Sequence, residues 1–261
     1  MDSGTSIGYQ LVLRLQDDRV IAPHATSRRA LARSVLAVGR ERGLLAFGAA
    51  DTHLHLLVLC DRGAAGLLAR SLETALGSEL ELSVSFSTPA ITPIHDQRHL
   101  GAAFAYVQRN ARKHGIADPR TTEASSLHDL PSLRTIAPWL AERVRQALPR
   151  VRRTDLLEIL AMPQLGVDGD VSGDLPDACA AVFGLADLAG RSTEAVRARA
   201  TGVALATGLW TSGAIAAALG VTGRTVERLR LHPVAPADLE GLRRQFAWRA
   251  ALRPAGTGPN F

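Results

Sequence analysis

Lysine is almost missing from this chain of 261 residues. Lys113 stands alone beside 29 arginines, although the net charge is +5 and the isoelectric point lies near 10.1. An arginine excess suits phosphate recognition, because the guanidinium offers a rigid fork of donors. It also arises from genome composition alone. Only two cysteines occur, Cys60 and Cys179, far apart and in apolar surroundings, which excludes a disulfide-stapled scaffold and reads as two reduced core thiols. No apolar run reaches the length of a membrane span. The opening MDSGTSIGYQ lacks a cationic segment followed by an apolar one, so the expectation is a cytoplasmic protein without a secretory signal. Repeats and low-complexity tracts are absent too. What remains is a 46% hydrophobic chain long enough for one large domain or two ordinary ones.

The first half alternates short strands with amphipathic helices. YQLVLRL, Tyr9 to Leu15, has the period of a strand. A helix is predicted over Thr26 to Gly43, with Ser27 as cap, a stripe of Leu31, Val35, Leu36 and Val38, and Gly43 as the stop. Two strands should fill Leu44 to Cys60, joined around Ala49 to Asp51. A second helix over Ala64 to Leu80 carries Leu67, Leu68, Leu72 and Leu76 on one side. Leu82 to Phe86 alternates again, with Ala90 to Ile94 as an extension beyond Pro89, and Gln97 to His114 forms a third helix stopped by Gly115. The order β-α-β-β-α-β-α predicts an α+β fold with a ferredoxin-like antiparallel sheet and one extra helix. From about Asp118 to Pro138 periodicity lapses into a linker or a packed loop. Beyond it, helices are expected over Trp139 to Leu148, Thr154 to Met162, Leu175 to Phe183 and Thr193 to Thr207, with an acidic, glycine-containing loop at Gly166 to Gly173. The expected division is 1–131, then an all-α domain over 132–261.

Two stretches carry chemistry. In DTHLHLLVLC, strand geometry puts residues i and i+2 on one face. His53 and His55 then project together while Leu54 and Leu56 turn to the core, and two converging imidazoles are what a divalent metal site requires. In AYVQRNARKHG, Tyr106 and Asn110 stand at i and i+4 of the predicted helix and share a face. Arg109, Arg112 and Lys113 form a basic cluster there, suited either to DNA phosphates or to a solvated helix face. His24, His95, His99, His114 and His232 are given no role, histidine being usually a surface or satisfied polar residue.

The HLH pair followed by aliphatic residues, together with Tyr106-Val-Gln-Arg-Asn110 on the next helix, resembles the HUH single-tyrosine transposases of the insertion-sequence type, above all the REP-associated tyrosine transposases. The likeness runs from about Tyr9 to Leu130. Members carry N-H-x-H and Y-I-x-x-N-P-x-x-A-G signatures; here Thr52 replaces the asparagine and Ala111 the proline, leaving the ligand and nucleophile positions in place. The resemblance implies that His53, His55 and the Asn110 amide hold Mg²⁺ or Mn²⁺. It further implies that Tyr106 attacks a phosphate of single-stranded or hairpin DNA to form a 5′-phosphotyrosine. Because repeat-associated relatives are thought to act as single chains, a monomer is expected.

In the second half, WTSGAIAAALGVTGRTVERLR, Trp210 to Arg230, reads as a short helix, a turn and a second helix. Ile215, Leu219, Val221, Val226 and Leu229 fall where a helix-turn-helix (about 210–231) buries its core, and Gly220 suits a left-handed turn. Thr222, Arg224, Thr225 and Arg228 would then face the major groove or phosphates of duplex DNA; an unrelated helical hairpin is the competing reading. The wider stretch from Ala181 to Leu229 resembles the DNA-binding C-terminal domain of the replication initiator DnaA. That family's D-H-T-T signature is replaced by Gly223-Arg224-Thr225-Val226, so its sequence preference is not transferred. Leu242 to Leu252 reads as a further helix. Three functions stay open at this level: a nicking and joining enzyme, a domesticated DNA-binding protein that does not cleave, and a metal-dependent hydrolase using the histidines alone.

Overall fold

A computed structural model describes residues 6–113, 115–116, 118–162 and 174–252, apart from the side chain of Arg112. The expected acidic loop at 166–173 and His114 lie outside the described residues. These divide into two compact units, Met1–Leu130 with Ala137–Arg153, and Pro131–Ile136 with Thr154–Phe261. Among the described residues no helix is long and apolar enough to cross a membrane.

The first unit is α+β. Strands β1 (Gly8–Arg14), β2 (Leu44–Ala50), β3 (His53–Val58) and β4 (Ala90–Ile94) form one antiparallel sheet in the order β2-β3-β1-β4. Leu11 pairs with Leu56, Leu13 with Leu54 and Phe47 with Leu56, so one face is a contiguous apolar layer. Helix α1 (Ala25–Gly39) packs on that face through Gly39, which touches the Leu44 side chain, and α2 (Arg62–Glu79) packs beside α1. Leu11, Leu13, Leu54 and Leu56 are fully buried there, and burying each stabilises the fold by about 1.5–3 kcal/mol. This layer supplies the stability, which leaves the opposite face free to carry polar groups.

Tight turns set the strand ends. Asp51 takes a positive φ of 54° between β2 and β3, a conformation its short polar side chain tolerates. Gly43 takes φ 71°, and α1 ends before it, at Gly39. Ser27 is the third helical residue, its hydroxyl accepting from the His24 backbone N–H at 3.0 Å, rather than the cap itself.

Three local expectations are corrected. Leu67 is 59% exposed: the face that packs is Ala65, Leu68, Ala69, Leu72 and Leu76, and Leu67 lies off that face. Leu82 to Phe86 is not a strand. Only Phe86 pairs, antiparallel with Leu15 just past β1, through Gln16 N–H to the Ser85 carbonyl (3.1 Å) and Ser87 N–H to the Arg14 carbonyl (2.8 Å), and Ala90–Ile94 alone forms the edge strand. The third helix breaks at Arg109 into α3 (Gln97–Gln108) and α4 (Asn110–Lys113), where the Arg109 N–H is shared between the Ala105 and Tyr106 carbonyls.

The aperiodic stretch after Asp118 is a packed loop. Ser126 bonds the Phe47 N–H and carbonyl at 3.1 Å each, and Ser125 bridges to Gly48, so the loop seals the outer edge of β2. The other edge strand, β4, carries Pro93. Helix α5 (Pro138–Ala147) belongs to this unit as well. Its Arg143 donates to the Leu44 and Arg40 carbonyls at 2.9 and 2.8 Å, so the unit extends past the expected boundary at residue 131.

The second unit is helical: α6 (Arg153–Ile159, most of it here), α7 (Leu175–Val182), α8 (Thr193–Ala206), α9 (Ser212–Leu219), α10 (Gly223–Arg230) and α11 (Pro236–Ala251). Its core gathers Cys179, Val182, Phe183, Val203, Ile215, Leu219, Val226, Leu229, Leu242 and Phe246. Residues 131–136 are tied in by Gln245, which donates to the Leu133 carbonyl at 3.0 Å, and by the Thr135 hydroxyl, which donates to Asp238 at 2.9 Å.

Candidate active site

On the polar face of the sheet, cross-strand pairing sets His55 opposite Val12 and Gly48, and His53 opposite Arg14 and Ala50. The two imidazoles stand edge to face with ring centroids 4.7 Å apart. Towards β1 and β4 this face stays open: Val12 is half-buried, while Arg14, Ala90 and Thr92 are exposed. Towards β2 it is covered by α3.

Glycine at position 48 governs how closely that helix approaches. A Cβ there would stand 2.8 Å from the Val107 carbonyl oxygen, a distance no side chain tolerates. With the helix so close, Tyr106 meets His55, ring centroids 5.2 Å apart and planes at 77°. The Lys113 ammonium lies 4.4 Å from the Tyr106 ring centroid, a cation held over a π face. Tyr9, the other tyrosine, is in β1 on the apolar face, where its hydroxyl accepts from Ser6 at 2.6 Å. Only Tyr106 shares a side with the histidines.

Asn110 follows the helix break directly. It is 1% exposed, and neither its amide oxygen nor its amide nitrogen has a hydrogen-bond partner among the described residues. Each buried amide atom left so costs about 1–3 kcal/mol, a standing cost that points to a ligand. Nearby, the Gln108 amide donates to Ser126 Oγ at 2.9 Å, tying the end of α3 to the sealing loop. The N-terminus of α3 is capped by Asp96, which accepts from the His99 N–H at 2.7 Å. That bond, with a second from the Arg98 N–H and the charges nearby, holds the Asp96 carboxyl below its ordinary range. Arg109 is exposed, and the Arg112 side chain lies outside the described residues.

The metal-type donors seen to meet here are the two histidines. Among the described residues no group of three or more His, Cys, Asp or Glu side chains converges. Sequence reading did not find Gln10, whose amide lies 3.2 Å from His55 Nδ1, nor Arg14, directly opposite His53. Both belong to the strand YQLVLRL, whose alternation gives the face but not the partner strand.

In the second unit, Thr211 caps α9 by accepting from the Ala214 N–H, Gly220 closes it at φ 63°, and Thr222 caps α10 by accepting from the Thr225 N–H. Ile215, Leu219, Val226 and Leu229 are buried and Val221 is partly so. Thr222, Arg224 and Arg228 are exposed and Thr225 is half-buried. A groove beside α10 is lined by Arg191, Arg199, Thr222, Thr225, Arg228 and His232. Arg199 is held in place by donating to the Leu188 and Gly190 carbonyls. Arg191 and Arg199 precede the predicted DNA-facing residues by more than 20 positions, so spacing alone gave no sign of them.

No family model matches the chain, and no curated protein matches it. A solved structure described as a REP-associated tyrosine transposase bound to a REP hairpin is similar, with a TM-score of 0.40 and 16% identity over 49% of this chain and 82% of that one. A likeness that loose assigns neither fold nor function.

Proposed function

We propose that the chain is a transposase-like enzyme that nicks and joins single-stranded or hairpin DNA through Tyr106, with a helix-turn-helix at α9–α10 that binds duplex DNA and selects the site. The strand order β2-β3-β1-β4, with helical crossovers between β1 and β2 and between β3 and β4, fits a ferredoxin-like sheet. The carrying observation is the meeting of the Tyr106 ring with His55, which itself stands edge to face with His53; a second is that the buried Asn110 amide has no hydrogen-bond partner among the described residues.

His53, His55 and Asn110 would hold Mg²⁺ or Mn²⁺, which when bound would polarise the scissile phosphate and neutralise its charge. The three donors are neutral, so the phosphate must bring the negative charge a hard cation needs. Arg109 is exposed and suited to a DNA phosphate, as is Arg14, which lies opposite His53 and pairs with Asp18 at 2.9 Å. The Tyr106 phenol gives up its proton and its oxygen attacks phosphorus; the bond to the 3′-oxygen breaks, and that oxygen takes up a proton as the strand end leaves. The 5′-phosphate stays on Tyr106. The reverse attack by a 3′-OH rejoins the strand, because the phosphodiester energy is kept in the phosphotyrosine.

The test is covalent capture. Full-length protein, labelled single-stranded DNA and Mn²⁺ should give a denaturation-resistant adduct that vanishes in Tyr106→Phe. His53→Ala and His55→Ala should abolish cleavage and spare DNA binding. Binding without any adduct would replace this reading by the non-cleaving DNA-binding protein. Cleavage that persists in Tyr106→Phe would replace it by a hydrolase.

A further inference from the structure

Of the 30 basic residues in this chain only Lys113 is not an arginine, and its ammonium stands over the ring of the candidate nucleophile, 4.4 Å from the centroid. Lys113 closes α4, seven residues beyond Tyr106. Residues seven apart fall within about 20° of one helix face, and helical side chains lean towards the N-terminus. The lysine stem therefore runs back along the face that carries Tyr106, and the ammonium reaches the ring across the break at Arg109. Lys113 is exposed, and among the described residues no carboxylate takes its charge.

Tyr106 is half-buried and touches both this cation and His55. Among the described residues its hydroxyl makes no hydrogen bond, so its direction rests on packing and on these two ring contacts. A swing to another staggered χ1 well would carry the hydroxyl away from the histidines. Displacement at phosphorus is intolerant of such a swing, because the attacking oxygen must arrive in line with the leaving one.

We infer that Lys113 is a positioning residue for Tyr106: its ammonium, drawn to the π face, holds the phenol ring on the histidine side of the sheet. This rests on the nuclease reading above, and it gives the lone lysine a task other than phosphate contact. Methionine at this position keeps an unbranched stem and loses the charge, whereas arginine keeps a cation that also sits on aromatic faces.

Two measurements on the full chain test it. Labelling with ¹³C-lysine gives a single ε-methylene signal, because the sequence has one lysine. Held over an aromatic face, that signal should lie upfield of free lysine and return there in Tyr106→Leu. Single-turnover adduct formation with saturating single-stranded DNA and Mn²⁺ is then compared among the parent, Lys113→Met and Lys113→Arg. Lys113→Met should be slower by about 2- to 5-fold, the worth of an exposed cation–π contact, rising to about 30-fold where bound DNA shields it from water. Lys113→Arg should stay within about 2-fold of the parent, and the salt slope of DNA binding in Lys113→Met should be unchanged. A lysine signal at the free position overturns the inference and leaves the nuclease reading standing. Adduct formation at the parent's rate in Lys113→Met overturns it too, and a salt slope lower by about 1 would then mark a phosphate contact. Equal slowing in both variants also overturns it, since charge is then not what holds the ring. A shifted lysine signal with no adduct in the parent overturns the nuclease reading and, with it, the use given to this contact. Thermal melts of both variants, expected to match the parent at this exposed position, separate lost activity from lost folding.

Discussion

Arg29 and Glu123 are both hidden from water, and their ion pair closes at 3.0 Å between α1 and the sealing loop, 94 residues apart in sequence. Removing one partner of such a pair strands the other charge in the core. Glu123→Gln should cost about 3–5 kcal/mol in urea unfolding, whereas the double change Arg29→Met with Glu123→Leu should cost far less. Asp96 gives a pH signature at the same scale. Its folded carboxyl titrates below its unfolded value, mainly through the His99 N–H. The stability it contributes is therefore present above the unfolded value and lost as pH falls through the folded one. Thermal melts taken from about pH 6 down to about pH 3 should show Asp96→Asn, which keeps a cap oxygen, losing less stability on acidification than the parent. Single residues of this kind were only partly legible. The His-x-His alternation is visible in the sequence because a strand repeats every two residues. The Gln10 contact is not, because it depends on which strand lies next door.

Among the elements, the approach of α3 to the sheet matters most. Gly48→Val should push the Val107 carbonyl away, destabilise the unit by about 1–3 kcal/mol, and abolish the Tyr106 adduct even at temperatures where the variant stays folded. Unfolding curves and adduct yields measured together check this, and a folded Gly48→Val with full adduct yield would refute the positioning argument. Periodicity gave the helices of this unit to within a few residues, since their apolar stripes are what the core selects. It missed the break at Arg109, because Asn110, Ala111 and Arg112 read as ordinary helix. It also made a strand of Leu82 to Phe86, whose alternation is real but whose backbone is spent on two bonds across the end of β1. In the second place a long-range contact overrules local pattern.

For the whole molecule, charge is the useful handle. A net +5 carried almost wholly by arginine predicts salt-dependent binding to duplex DNA, governed by counterion release. Arg224→Ala and Arg228→Ala should each weaken that binding and reduce the slope of log K against log salt by about 1; fluorescence anisotropy across a salt series measures it. An unchanged slope would remove α10 from the interface. The division into units was harder to read than the charge. Helix α5 looks like the first of a helical run, yet Arg143 ties it to the β2 side of the sheet through two carbonyls, and only coordinates reveal that bond.

The two borders of the sheet have one more effect. Along β2 the 118–130 loop already occupies the backbone, and along β4 Pro93 has no N–H to offer a newcomer. Polypeptide cannot readily zip onto either margin, so growth into fibres by strand addition is hindered at both edges.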